Sequence, residues 1–100
     1  MALTSPLVSA TELAAHPEWR VMDCRHDLAN PELGMQQFAA GHIPGAVHAH
    51  LDHVLSGPLN GRNGRHPLPD PNALCDWLGA QGVRNGDVVV ACDASGGAYA

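Results

Sequence analysis

Cys92 and Asp93 stand where an apolar run meets a glycine-rich tail, Val88-Val89-Val90-Ala91-Cys92-Asp93-Ala94-Ser95-Gly96-Gly97-Ala98-Tyr99-Ala100. In open parallel sheets, ligands bind beyond the carboxyl ends of the strands. Backbone amides of a glycine loop that follows such a strand can converge on an anion. A cysteine in that pocket is lowered toward thiolate and becomes a nucleophile. Cys92 lies one residue short of the loop, so the competing reading makes it a small buried hydrophobe that closes the strand. Asp93 opens the loop, and Ser95, Gly96 and Gly97 continue it.

A second group is denser in potential ligands. His48-Ala49-His50-Leu51-Asp52-His53 has the spacing H-x-H-x-D-H. Imidazoles so spaced on a loop beyond a strand can converge on one zinc ion. The segment resembles the zinc-binding motif of the metallo-β-lactamase superfamily, which would make the chain part of a hydrolase. That superfamily needs further ligands downstream, and the one imidazole after His53 is His66. An incomplete shell binds zinc weakly. The expectation is therefore no metal site and no cofactor, with His48, His50, Asp52 and His53 on a surface loop. A third stretch is Gly41-His42-Ile43-Pro44-Gly45-Ala46. There Gly41 caps a helix, Ile43-Pro44 turns the chain, and His42 either satisfies the turn or faces a site.

These groups need elements to hold them. Leu7-Val8-Ser9 reads as a brief extended piece. Ser9 and Glu12 have capping-box spacing, which predicts a short helix from 10 to about 16, stopped by Pro17. Residues 20–24 read as a strand. Asn30 as N-cap and Pro31 at the first helical position start a second helix, ended by Gly41. Residues 46 to about 50 are a further strand. Asp70-Pro71 repeats the cap-plus-proline start, and Leu74, Trp77 and Leu78 form one apolar stripe. Gly82 closes that helix, Asn85-Gly86 turns, and 88–92 is an apolar run of the kind buried on both faces of a parallel sheet. The alternation predicts an α/β fold, a parallel sheet flanked by helices. Residues 51–69, rich in Gly and Pro, form a loop long enough to be functional or interfacial.

The composition narrows the classes of function. One hundred residues make one domain, able to remove roughly 60 to 70% of its unfolded surface from water. Hydrophobic residues are 45% and charged residues 15%, an ordinary globular balance. No window reaches the roughly 18 apolar residues of a membrane span, and the start lacks a secretory signal, so no membrane is expected. There are 5 basic residues, all arginine, against 10 acids, for a net charge of −5. Nucleic acid is not an expected partner, because phosphate binding needs clustered basic surface. Cys24, Cys75 and Cys92 are odd in number and widely spaced, which reads as reduced thiols of a cytoplasmic protein. Only residues 93–100 follow the last strand, too few for the helix that should come next. The expectation is a domain incomplete at its C-terminus, with one face of 88–92 uncovered. A natural short chain is the alternative.

Asp23-Cys24-Arg25 at a strand end, followed by Gly41-His42-Ile43-Pro44-Gly45-Ala46, resembles the signature of the rhodanese-domain sulfurtransferase family. The stretch Gly61-Arg62-Asn63-Gly64-Arg65-His66-Pro67-Leu68-Pro69 with the glycine tail narrows the resemblance. It is similar to the N-terminal half of two-domain thiosulfate and 3-mercaptopyruvate sulfurtransferases, from about Leu7 to Ala100.

That family moves sulfane sulfur from thiosulfate or 3-mercaptopyruvate to cyanide or a thiol, through a cysteine persulfide. The resemblance implies that the catalytic cysteine lies in a C-terminal half, and that residues 1–100 are the N-terminal, non-catalytic domain. Against the motif C-x-x-G-x-x-A, Asp93 stands in the nucleophile position with Gly96 at the right spacing. A carboxylate cannot carry a persulfide. The partners implied are the catalytic rhodanese domain of the same parent chain and a small-molecule sulfur donor. In this reading His42, oriented by Asp27, faces the partner domain and assists proton transfer, while Arg25 pairs with a carboxylate or a loop carbonyl. The rival functions are a stand-alone rhodanese-like binding module, a sulfur carrier using Cys92, and the zinc hydrolase fragment.

Overall fold

In the computed structural model, residues 6–97 and 100 are described. The elements run α1 (Ala10–Ala14), β1 (Arg20–Asp23), α2 (Leu33–Ala40), β2 (Val47–His48), α3 (Pro71–Ala80) and β3 (Val89–Cys92). The strands form one parallel sheet in the order β2-β1-β3. Asp23 pairs with His48 on one side and with Cys92 on the other. The sheet thus brings the three sequence groups to one end, since β1, β2 and β3 all finish there.

Local chemistry explains most of the elements. Glu12 N donates to Ser9 Oγ at 3.1 Å, and Ser9 N donates to Glu12 Oε1 at 3.3 Å, so the capping box forms. Asp70 Oδ2 accepts from Ala73 N at 3.1 Å, with Pro71 in the first helical turn. Leu74, Trp77 and Leu78 are the shielded residues of α3. Gly82 ends α3 at φ +89, in the left-handed region that a side chain would strain. The Asn85-Gly86 turn closes with Asp87 N donating to Arg84 O at 3.1 Å.

Four expectations need correction. Leu7-Val8-Ser9 is not one of the described strands and lines the groove beside β3. Asn30 does not cap α2, because its Oδ1 accepts from Glu32 N only two residues on. That contact makes a turn, and the helix begins at Leu33 without a side-chain cap. Gly41 does end α2, but with extended backbone at φ 178, where its freedom is not used. Residues 46–50 yield only the two-residue β2, with one further ladder bond from Ala49 N to Asp23 O at 2.9 Å.

The fourth correction concerns β3. A run of five apolar residues reads as a strand covered on both faces, yet β3 alternates exposed and half-buried, and Val89 is 46% exposed. It is an edge strand, with β1 on one side and none of the described strands on the other. The buried core is correspondingly thin: Trp19, Val21, Met22, Ala46 and Ala49, gathered on and around β1. One face of β3 is therefore left open by the described residues.

Gly34 sets how closely α2 approaches the sheet. A Cβ there would strike the carbonyl of Arg25 and sit 3.2 Å from His48 Nε2. His48 Nε2 donates to that same carbonyl at 3.1 Å. The 51–69 loop is pinned at its neck, where Gly57 N donates to Pro67 O at 2.9 Å and a Cβ on Gly57 would meet Leu68 O at 2.7 Å.

Candidate functional site

Beyond the carboxyl ends of β1 and β3 lies a cleft of about 510 Å³, walled by Cys24, His26, Asp27, Leu55, Asp93 and Ser95 among others. This is where an open parallel sheet places its ligands. The lining carries two carboxylates and no arginine. A larger groove of about 590 Å³ follows β3 and the 6–10 segment. Its walls are mostly aliphatic, and it is the uncovered face of the edge strand.

The glycine loop is built as the sequence suggests, but its anion is its own. Asp93 Oδ1 accepts from Ser95 N at 2.9 Å and from Gly97 N at 2.7 Å. Gly96 at φ +68 and Gly97 at φ +93 take left-handed conformations that turn the amides inward. The amides that would hold a thiolate therefore hold a carboxylate. Ala98 and Tyr99 lie outside the described residues.

Neither nearby cysteine is set up as a nucleophile. Burial pushes the Cys92 thiol up, the Asp23 charge adds to that, and Asp93 adds less than Arg25 opposes. Burial likewise raises Cys24, helped by Cys92, Asp23 and Asp93. Both groups are held toward the neutral thiol, the opposite of an activated cysteine. Cys75 is exposed on α3, away from the cleft lining.

Arg25 makes both of the contacts expected of it. Its Nε lies 3.1 and 3.0 Å from the two oxygens of buried Asp23, its Nη2 lies 2.8 Å from Asp23 Oδ2, and Nη2 also donates to Gly41 O at 2.7 Å. Burial pushes the Asp23 carboxyl up, but the Arg25 bonds outweigh it and hold the group below its ordinary value. The fork ties the end of β1 to the Gly41-to-Ala46 turn.

His42 and Asp27 are not brought together. His42 Nδ1 donates to Phe38 O at 2.7 Å, and the ring stacks on Phe38 at 3.8 Å. Asp27 Oδ1 accepts from Ala29 N at 2.8 Å and from Asn30 N at 3.1 Å. The imidazole is oriented by its own helix end, four residues back, and Asp27 shapes a turn in the cleft wall.

The H-x-H-x-D-H segment does not converge as a unit. His48 is engaged by Arg25 O, while His50 is buried and donates Nε2–H to Pro31 O at 3.0 Å. Burial and the neighbouring His53 keep His50 below its ordinary value, against smaller opposing effects of Pro31 O and Asp52. His53 stacks on His50 at 4.0 Å. Two sets of donor atoms do come within 4.8 Å of one another: His26, His50 and Asp52, and Glu32, His50 and His53. His26 and Glu32 were not legible as members, because only the parallel pairing of β1 with β2 and the start of α2 carry them there.

Comparison with known proteins places the fold. A family model described as Rhodanese-like domain matches residues 9–100. A Pseudomonas aeruginosa protein named a probable 3-mercaptopyruvate sulfurtransferase is 43% identical over 101 residues, covering 97% of this chain and 36% of that protein. A Mycobacterium tuberculosis protein named, provisionally, a thiosulfate sulfurtransferase (SseB) is 35% identical, over 87% of this chain and 32% of that protein. The solved 3-mercaptopyruvate sulfurtransferase from Leishmania major superposes with a TM-score of 0.81 at 32% identity, over 92% of this chain and 26% of its own. The chain spans about a third of the length of the curated relatives it matches. With the family match running over nearly all of its length and the parallel sheet ending in a glycine loop, the chain belongs to the rhodanese-like domain family.

Proposed function

We propose that this chain is the N-terminal, non-catalytic half of a two-domain sulfurtransferase that moves sulfane sulfur from thiosulfate or 3-mercaptopyruvate to cyanide or a thiol. The observation that carries the reading is Asp93: its carboxylate accepts from the loop amides, at the residue that the resemblance aligns with the family's nucleophile. Sulfur transfer needs a thiolate that attacks the sulfane sulfur, forms an S–S bond and expels the rest of the donor. Asp93 cannot form that bond, and the two thiols nearest it are raised rather than lowered. A cleft lined by carboxylates without an arginine is also a poor host for an anionic donor.

In this reading residues 1–100 pack against a catalytic rhodanese domain of the same parent chain and wall its substrate cleft. His42, exposed and with Nδ1 tied to Phe38 O, keeps Nε2 for a proton at that interface. Three free thiols suit a reducing compartment, the cytoplasm. None of the described helices is long and apolar enough to cross a membrane.

The test is peptide-level mass spectrometry after incubating the full chain with 3-mercaptopyruvate or thiosulfate. The expected result is no added sulfur on Cys24, Cys75 or Cys92 while the circular dichroism spectrum remains that of a folded chain. Loading of Cys92 that cyanide discharges would overturn the reading and make the chain a sulfur carrier.

A further inference from the structure

We propose that His26, His50 and Asp52 form a binding site for one first-row transition-metal dication of the zinc class, at the rim of the cleft. The three donor atoms lie within 4.8 Å of one another. They come from different parts of the chain: His26 follows β1, while His50 and Asp52 follow β2. The sheet itself therefore fixes their separation.

Each member has a feature that suits a ligand. His26 Nδ1 is buried and has no hydrogen-bond partner, an unfavourable state unless something answers it. His50 donates Nε2–H to Pro31 O at 3.0 Å, which puts its lone pair on Nδ1. A ring N–H given to a backbone carbonyl is the usual way a ligating histidine is oriented. That lone pair now accepts from Asp52 N at 3.0 Å, and a metal would take it over while the amide, on an exposed residue, turns to water. Asp52 Oδ1 lies 3.1 Å from His66 Nε2, so the carboxylate is held from behind by the 51–69 loop.

The competing triad of Glu32, His50 and His53 shares His50, so the two cannot both be filled through one lone pair. Glu32 and His53 are exposed, and neither has a buried atom left without a partner. The orphaned nitrogen of His26 decides for the first set. Two imidazole nitrogens and one carboxylate oxygen select a borderline first-row dication over calcium or magnesium, which take oxygen shells. Three protein ligands leave the fourth tetrahedral position to water.

The experiment is titration of the full chain at neutral pH with zinc chloride alone, followed by calorimetry. The cobalt(II) visible spectrum reports the coordination geometry. The expected result is one ion per chain. His26→Ala and Asp52→Asn should each weaken binding at least as much as the roughly 10–100-fold lost when a ligand's supporting partner is removed. His16→Gln, a histidine that pairs with Glu18 and belongs to neither donor set, should leave it unchanged. Asp52 is exposed, so Asp52→Asn keeps the test sharp even where His26→Ala disturbs folding. No zinc retained by the folded chain would overturn the proposal. So would zinc binding indifferent to Asp52→Asn and abolished by Glu32→Gln.

Discussion

On the β2 side of β1, α2 is drawn in until Gly34 has no room for a Cβ, while on the β3 side Val89 is left 46% exposed. The same central strand thus has one flank closed by polar and backbone contacts and one left open. The closed flank is held by Arg25, which grips Asp23 and reaches Gly41, and by His48, which takes the Arg25 carbonyl. The open flank has an aliphatic groove in place of a partner element. The difference teaches that the polar end of this fold is specified within the chain, whereas burial of β3 is not completed by the described residues.

Arg25→Ala should break the closed flank most severely. It leaves the buried Asp23 carboxylate without its fork, a loss of about 3 kcal/mol. The pH profile sharpens the test. Asp23 in the folded chain titrates below its ordinary value, so the unfolded chain binds more protons on acidification. Its contribution is present above the unfolded value of about 4 and disappears as pH falls through the folded one. In Arg25→Ala the guanidinium bonds are lost while the amide of residue 25 and nearby His48 still favour the carboxylate, so the carboxyl rises relative to the parent chain and the loss of stability on acidification should shrink. Denaturant melts at several pH values check both.

Gly34→Ala comes next. The new methyl meets the Arg25 carbonyl, which is backbone and cannot swing aside, so the expected cost is about 2 kcal/mol. Gly79→Ala on α3 is the matched control, because a Cβ there meets nothing within 4 Å. It should stabilise by roughly 0.5–1 kcal/mol through helix propensity. Thermal melts of the two variants should therefore move in opposite directions.

The smallest stability change belongs to the open flank. Val89→Ser should shift stability by no more than about 0.5 kcal/mol, as for an exposed position. Its expected effect is on association, since an unpaired apolar edge recruits other chains. Sedimentation of the parent chain should show self-association that Val89→Ser reduces. A monomeric parent chain would remove the contrast between the flanks.

Much of this architecture is legible in the sequence. Ser9 with Glu12, and Asp70 with Pro71, announce helix starts because each satisfies orphan amides within four residues of itself. The strand β1 and the α3 stripe follow from apolar runs and spacing. Asn30 misled because a side chain that can cap a helix can equally close a turn two residues on, and nothing local chooses between them. The run 88–92 misled because composition reports what a strand could bury, not whether anything is there to bury it. For Arg25 the sequence points to a carboxylate or a loop carbonyl, and the guanidinium fork takes one of each, Asp23 and Gly41 O. The link between His42 and Asp27 failed because each finds a nearer backbone partner.

The amino-acid sequence by itself determined the alternation that makes a parallel sheet, the motif around Gly41 to Ala46 that resembles the family's, and the carboxylate at 93 that opens the glycine loop. Those depend on residue identity and short spacing, which local bonding enforces. Only the tertiary structure decided that β3 is an open edge and that His26 joins His50 and Asp52. Those depend on which strand lies beside which, and parallel pairing joins residues more than twenty positions apart that no local interaction could have matched.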